Sequence, residues 1–249
     1  MYDLYLLVPC YNEEAVLPES AAVLLQKLRA LRAADRIGPG SRLLLVDDGS
    51  TDATWRIISS LLEQPEVCAL RLAKNRGHQN AVTAGLVCAR ERADAALSID
   101  ADLQDDPDAI DEMVERWRAG AQIVCGVRRS RESDRFLKRA TARGFYVLAK
   151  LCGAKVIFDH ADFRLLSREA IGRLLCYGTE DLFLRGLVTR LGYPIERVRY
   201  DRRARTAGES KYSLKKMLHL ARRGFESARA KPSDTPQIGE LYVAEERLQ

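Results

Sequence analysis

Residues 98–107 read SIDADLQDDP. Just upstream, Ala96, Leu97 and Ile99 make an apolar run that stops at Asp100, Asp102, Asp105 and Asp106. A run that ends in carboxylates predicts a buried strand delivering acids into a crevice. Asp100 and Asp102 stand two apart, so on an extended chain they point the same way. Two carboxylates held that close repel unless a proton or a cation sits between them. Oxygen ligands of this kind suit Mg²⁺ or Mn²⁺, above all a metal that also holds substrate phosphates. The competing reading is an acidic turn that caps a helix starting near Pro107.

The same pattern recurs on either side. LYLLVPC (4–10), RLLLVDDGS (42–50), VCALRL (67–72), ALSID (96–100) and QIVCGV (122–127) read as strands. Helical spacing fills 13–34, 53–63, 75–92 and 108–119, and Thr51 or Asp52 can cap the second of these helices. Strands alternating with helices predict right-handed βαβ units and a mostly parallel sheet. Their near-continuous apolar character predicts cover on both faces. Beyond Val127 the reading is a helix over 134–152, a short strand or turn over 161–168, helices near 167–176 and 180–191, and a strand over 194–200. A polar loop follows at 202–212. Next comes a basic amphipathic helix over 214–230, then a polar, frayed tail after Pro232.

At 249 residues and 47% hydrophobic, the chain can bury a sizeable core. Six cysteines are scattered without CxxC or His/Cys clustering, which points to reduced, buried thiols and away from a zinc site or disulfide frame. No run reaches the roughly 18 to 20 apolar residues of a membrane span. Charge is distributed unevenly. Residues 1–125 carry 13 Lys/Arg against 20 Asp/Glu, net −7, whereas 126–231 carry 26 against 11, net +15. An acidic front suits a metal, and a basic back suits an anion: a phosphate, a nucleic acid or a lipid headgroup.

In an open α/β sheet, ligands bind beyond the carboxyl ends of the strands. Here those ends read PCYNEE, VDDGSTD, LAKNRGHQN and SIDADLQDD, all polar. Tyr11 could stack on a base or merely pack at the strand edge. Asp48 could accept from a base or ribose, or cap the next helix. The Asp100/Asp102 pair could hold a metal against a diphosphate. Asp47 reads as structural, His78 as a local hydrogen-bonder, and Arg164 as a buried partner for Asp162 or Asp159.

Taken in order, VPCYNEE, VDDGSTD, NRGHQNAVTAGL, DADLQDDP, DFRLLSR and RTAGESKY resemble glycosyltransferase family 2. The closer likeness is to its polyprenyl- and dolichyl-phosphate sugar transferases, of the dolichol-phosphate mannose synthase type. The resemblance spans about residues 3–231, and the QxxRW motif of processive polysaccharide synthases is not found. It implies a GT-A, Rossmann-like fold over 1–212, an amphipathic interfacial helix over 213–231 and a polar tail over 232–249. It implies that Pro9, Tyr11, Glu13, Val46 and Asp48 line the nucleotide pocket. Asp100, Ala101, Asp102 and Gln104 would hold metal and diphosphate, with Asp102 and Gln104 as direct ligands of Mg²⁺ or Mn²⁺. Arg128 would reach the donor phosphates, and Arg205 and Lys211 would close over the diphosphate or the acceptor phosphate. Asp162 matches a position proposed as catalytic in related enzymes.

The implied reaction is inverting transfer of a sugar from a UDP- or GDP-linked donor to a polyprenyl phosphate at the cytoplasmic face of a membrane, with no nucleic-acid partner. Bacterial members of this type continue from the amphipathic helix into two transmembrane helices. Here the chain reads SDTPQIGELYVAEERLQ from Ser233. The expected membrane link is therefore peripheral, or through a membrane partner protein. Other readings keep the donor chemistry with a soluble or protein acceptor, or make the chain a non-catalytic nucleotide-sugar-binding protein.

Overall fold

The strand LYLLVPC is the spine of the sheet, and its alternation sets the two faces. Leu4, Leu6 and Val8 enter one apolar cluster, while Tyr5 and Leu7 enter the other. The structure is a computed structural model that describes residues 1–129, 160–180, 182–201, 230–236 and 243–247. Its strands are β1 (Leu4–Cys10), β2 (Arg42–Asp47), β3 (Val67–Leu72), β4 (Ala95–Ser98), β5 (Ile123–Arg128), β6 (His160–Ser167), β7 (Ile195–Tyr200) and β8 (Val243–Arg247). They form one sheet in the order β7-β5-β6-β4-β1-β2-β3-β8. Pairs β1–β2, β1–β4, β2–β3 and β5–β7 are parallel, while β6 runs antiparallel to both β4 and β5.

The helices are α1 (Leu17–Ala33), α2 (Thr54–Leu61), α3 (His78–Arg92), α4 (Ala109–Arg118), α5 (Arg168–Leu175) and the single turn α6 (Leu184–Leu187), which runs into a 3-10 turn at Val188–Arg190. One face of the sheet is covered by Leu24 and Leu28 of α1 and Met113 and Trp117 of α4. The other is covered by Val82 and Leu86 of α3, Ile171 and Leu174 of α5, and Leu184 and Leu187 of α6. Burying one such leucine contributes roughly 1.5–3 kcal/mol. Gly85 lets α3 press onto the sheet, because a Cβ there would collide with Leu7 and lie 3.1 Å from Val46 Cγ2.

Strands and helices fall where the sequence places them, with three differences. The stretch 161–168, read as a short strand or turn, is a full strand at the centre of the sheet's mixed half, because its charged residues satisfy one another. The region 180–191 is not one helix: its described residues hold a turn of α-helix at Leu184–Leu187 that tightens into a 3-10 turn at Val188–Arg190 and closes at Gly192, whose φ is +80°. The tail is not wholly frayed: Val243–Arg247 pairs antiparallel with β3. The helix expected at 134–152, the loop with Arg205 and Lys211, and nearly all of the basic amphipathic helix lie outside the described residues.

Candidate functional site

The parallel strands β1, β2, β4 and β5 all end at one edge of the sheet. Because β6 is antiparallel, with Ser98 opposite Arg164, it brings its beginning, Asp162, to that same edge. The ends of β1 and β2 are stapled to each other. Asn12 N–H donates to Ser50 Oγ (3.0 Å), Thr51 N–H to Asn12 Oδ1 (2.9 Å) and Glu13 N–H to Thr54 Oγ1 (2.8 Å). Ala53 N–H donates to Glu14 Oε2 (2.8 Å), and Asp52 Oδ1 accepts from Thr54 N–H (2.9 Å) at the start of α2. Asn12 holds φ +56°, a left-handed conformation that asparagine tolerates. Pro9 and Val46 are buried beneath this loop pair, Glu13 is half-buried, and Tyr11 stays 44% exposed instead of packing at the strand edge.

Asp47 is structural, accepting from Ser50 N–H and pairing with Arg71 Nε at 3.2 Å. Asp48, 3% exposed, does not cap α2. Its Oδ1 accepts from Arg76 N–H (2.7 Å) and its Oδ2 from Gly77 N–H (2.9 Å), which fixes the entry to α3. Burial pushes the Asp48 carboxyl up, while those two N–H groups pull it back.

β4 ends at Ser98, so Asp100 and Asp102 sit on a turn and not on extended chain. Leu103 N–H donates to Asp100 O (3.2 Å), Gln104 N–H to Asp102 Oδ1 (3.3 Å), and Leu103 is held at φ +45°. A bulky residue in that conformation stores strain, and strained residues gather at functional sites. Ala101 is 3% exposed and belongs to the core, and Gln104 is 5% exposed. Asp100 keeps 44% of its side-chain surface accessible. Lost hydration, then the carboxylates of Asp162, Asp105 and Asp102, raise it to about 6, with His78 opposing. That crowding of negative charge is what a divalent cation would relieve. Among the described residues no three His, Cys, Asp or Glu side chains converge as a metal cage. Two exposed-to-half-buried carboxylates do fit an ion such as Mg²⁺, which usually takes one or two carboxylates and completes its shell with water and substrate phosphates.

Asp162 is the hub of the opposite wall. Its carboxylate pairs with Arg164 Nη2, and Arg185 grips it as a fork, Nε at 3.3 Å and Nη2 at 3.1 Å. Gln79 Nε2 donates to it at 3.4 Å, and the same amide's Oε1 accepts from Leu184 N–H at 3.2 Å. His78 Nε2 lies 3.8 Å from Asp100 Oδ1 and 3.7 Å from Asp162 Oδ2, spanning the two walls. Burial works against the charge on Asp162, but Arg185 and Arg164 outweigh it and hold the carboxyl well below the usual range. Such a carboxylate is a poor proton acceptor. At the end of β5, Arg128 is tied to Asp105 Oδ1 (3.3 Å) and to the Tyr200 hydroxyl (3.4 Å). Asp105 is thus a buried counter-ion and not part of the helix start.

The structure brings together Tyr11, Glu13, Asp48, Asp100, Asp102, Arg128 and Asp162 at one edge. Arg205 and Lys211 fall outside the described residues. Arg185 and Tyr200 join the site although no motif marks them, and Gln79, inside the NRGHQNAVTAGL stretch but given no role there, joins it too. Arg185 lies in an ordinary amphipathic segment, and only the antiparallel turn of β6 brings Asp162 to it.

Comparison with known proteins agrees with this architecture. The family described as glycosyl transferase family 2 matches residues 5–175. An uncharacterized glycosyltransferase, YkoT, of Bacillus subtilis is 45% identical over 92% of this chain and 68% of its own length. A bactoprenol glucosyl transferase of Shigella phage SfX is 35% identical over 96% of this chain and 76% of its own. In structure, glucosyl-3-phosphoglycerate synthase of Mycobacterium tuberculosis, solved with Mn²⁺, uridine diphosphate and phosphoglyceric acid, superposes with a TM-score of 0.60. That match covers 93% of this chain and 80% of the other at 21% identity, a likeness of fold. The mixed, mostly parallel sheet with helices on both faces is the GT-A fold, and the chain is a glycosyltransferase belonging to glycosyl transferase family 2.

Proposed function

We propose that this enzyme transfers a hexose, with inversion, from a nucleoside-diphosphate sugar to a polyprenyl phosphate, assisted by Mg²⁺ or Mn²⁺. The observation that carries the reading is the pairing of two walls at one sheet edge: the Asp100/Asp102 turn and the Arg-bound Asp162. The 35% likeness to a protein named bactoprenol glucosyl transferase, along 96% of the chain, supports the acceptor class and makes UDP-glucose the first donor to try.

An acceptor phosphate oxygen forms the new bond to the anomeric carbon as the bond to the donor diphosphate breaks, and the nucleoside diphosphate leaves. The acceptor is already anionic, so no proton has to be taken from it. This suits an Asp162 whose basicity its arginines suppress. Its role is to hold those arginines. The main electrostatic task is the charge on the leaving diphosphate. A divalent ion bound by Asp100 and Asp102 would supply Lewis-acid stabilisation there. Arg128, oriented by Asp105 and Tyr200, serves the same phosphates. Tyr11, Glu13 and Asp48 form the nucleoside side, and Arg205 and Lys211 close over the diphosphate or acceptor. Among the described residues no helix is long and apolar enough to cross a membrane. We place the enzyme at the inner membrane face through its basic 202–223 region or a membrane partner.

The test is incubation with labelled UDP-glucose, and with other UDP- and GDP-sugars, plus undecaprenyl phosphate, with and without Mg²⁺ or Mn²⁺. Metal-dependent label in the lipid phase is expected. No label in lipid from any donor overturns the acceptor. A retained anomeric configuration overturns inversion.

A further inference from the structure

We infer that His78 hydrogen-bonds a hydroxyl of the sugar being transferred, and so reads the hexose and not the nucleotide. This rests on the donor reading above and deepens it by naming a side chain for the sugar subsite.

Backbone geometry makes the first argument. Gly77, at φ +90°, gives its N–H to Asp48 Oδ2 (2.9 Å), and its carbonyl accepts from the N–H groups of Asn80 (2.9 Å) and Ala81 (3.1 Å). His78 is the first residue of α3, which is buried from Ala81 and Val82 onward. The backbone that carries the imidazole is thus fixed from both sides. Little freedom is left to lose when a ligand meets the ring.

Position makes the second. Nε2 of His78 lies 3.8 Å from Asp100 Oδ1 and 3.7 Å from Asp162 Oδ2, so it is this nitrogen that faces the crevice between the two walls. Both distances exceed those of a hydrogen bond, and the side chain is 40% exposed. In an in-line displacement the anomeric carbon lies between leaving group and nucleophile. A sugar whose diphosphate sits at the Asp100/Asp102 turn therefore extends from that turn into the crevice, where His78 stands.

Chemistry makes the third. The sugar is neutral, and each of its hydroxyls can donate or accept. An imidazole nitrogen can serve a hydroxyl in either sense, donating as N–H or accepting as the bare nitrogen. Asp162 is less suited to that task, because Arg164, Arg185 and Gln79 already donate to it. The ring is not needed as a base, since the acceptor phosphate is already anionic.

The test is a cycle of donor and protein changes on the full chain. Binding of UDP, UDP-glucose and the monodeoxy analogues of UDP-glucose is measured with Mn²⁺ for wild type, His78→Ala and His78→Gln. The GDP-mannose series takes their place if the wild type prefers it, and thermal melting is followed in parallel. In wild type, removing one particular hydroxyl should weaken donor binding about three- to tenfold. In His78→Ala, the intact donor should bind weaker by a similar factor, removal of that hydroxyl should cost nothing more, and the free nucleotide should bind as in wild type. His78→Gln, which keeps an N–H donor, should recover part of the loss. If every deoxy donor loses as much in His78→Ala as in wild type, the inference is overturned and the donor reading stands. An equal loss of nucleotide and nucleotide-sugar also overturns it, since that makes His78 a nucleotide contact or a purely structural residue. The expected cycle in a protein that labels no lipid phosphate upholds the inference and fails the acceptor reading alone. If the wild type binds neither nucleotide-sugar, the inference and the donor reading both fall.

Discussion

The Tyr200 hydroxyl donates to Asp105 Oδ1 at 2.5 Å, joining the end of β7 to the turn after β4. Arg128 reaches both groups, so three buried or half-buried polar side chains orient one another. Burial, and then Asp105, raise the Tyr200 phenol, which keeps it a donor at any working pH. Tyr200→Phe removes a hydrogen bond to a buried carboxylate and should cost about 1–3 kcal/mol in urea unfolding. The KM for the nucleotide-sugar should rise in the same variant, since Arg128 loses one of its two anchors. An unchanged donor KM would detach Arg128 from the donor phosphates.

Asp102→Asn should abolish metal-dependent transfer while leaving the melting temperature near that of wild type. Undiminished turnover would refute the metal role of Asp102. Asp100→Asn should lose activity too, but with a stability signature. The folded carboxyl is raised to about 6, so its contribution to stability is fully present below the unfolded value of about 3.9 and is lost as pH rises through about 6. In EDTA, the asparagine variant should therefore melt higher than wild type at pH 8 and no higher near pH 3.5. A lower melting temperature at pH 8 would contradict the crowding of carboxylates around Asp100.

Asp162→Asn should be strongly destabilising. Arg164 is 2% exposed, and its Nε and Nη1 have no hydrogen-bond partner among the described residues. Removing the carboxylate strands that charge in the core, at a cost of about 3–5 kcal/mol. The pH sign is opposite to that of Asp100. The depressed Asp162 contributes stability above the unfolded value of about 3.9 and loses it only as pH falls further toward its lower folded value. The difference between wild type and variant should thus be full at pH 7 and shrink toward pH 2, measured by denaturant midpoint.

Gly49→Ala should damage both fold and donor site. Gly49 holds φ +68°, and a Cβ there would lie 2.6 Å from the Lys74 carbonyl carbon and 2.7 Å from Asn75 N. That backbone leads into Arg76 and Gly77, whose N–H groups hold Asp48. A loss of at least about 1 kcal/mol of stability, with a raised KM for the nucleotide-sugar, is expected. A neutral substitution would mean that the 74–77 loop yields freely.

The strands β1 to β5 were legible because each is a continuous apolar run, a pattern that only a sheet covered on both faces requires. β6 was harder to read. The pairing of Arg164 with Asp162 is legible, since residues two apart share a strand face, but two charges in so short a stretch leave strand and turn equally open. α6 is shorter than its apolar rhythm predicts, because the backbone tightens into a 3-10 turn at Val188. At the site, the strand-end carboxylates announced themselves, being polar groups directly after buried runs. The roles of Arg185, Gln79 and Tyr200 did not, because each depends on a partner brought near by the antiparallel placement of β6 or the register of β7. Asp105 reads only as one acid of the run before a helix, since nothing in SIDADLQDDP shows that β5 and β7 send Arg128 and Tyr200 to it.

The eighth strand bears on how the protein assembles. β3 pairs with β2 on one side and with β8 on the other, in a register that sets Leu72 against Val243. Residues 67–72 leave the ribosome long before 243–247 do, and closing so distant a contact is slow. During synthesis the outer edge of β3 is therefore a row of unpaired backbone donors and acceptors, the kind of edge that recruits strands from other chains. The opposite border needs no such cover, because β7 exposes Glu196, Arg197 and Arg199. Nascent chains of this enzyme are thus most open to misassociation along β3, and β8 ends that exposure.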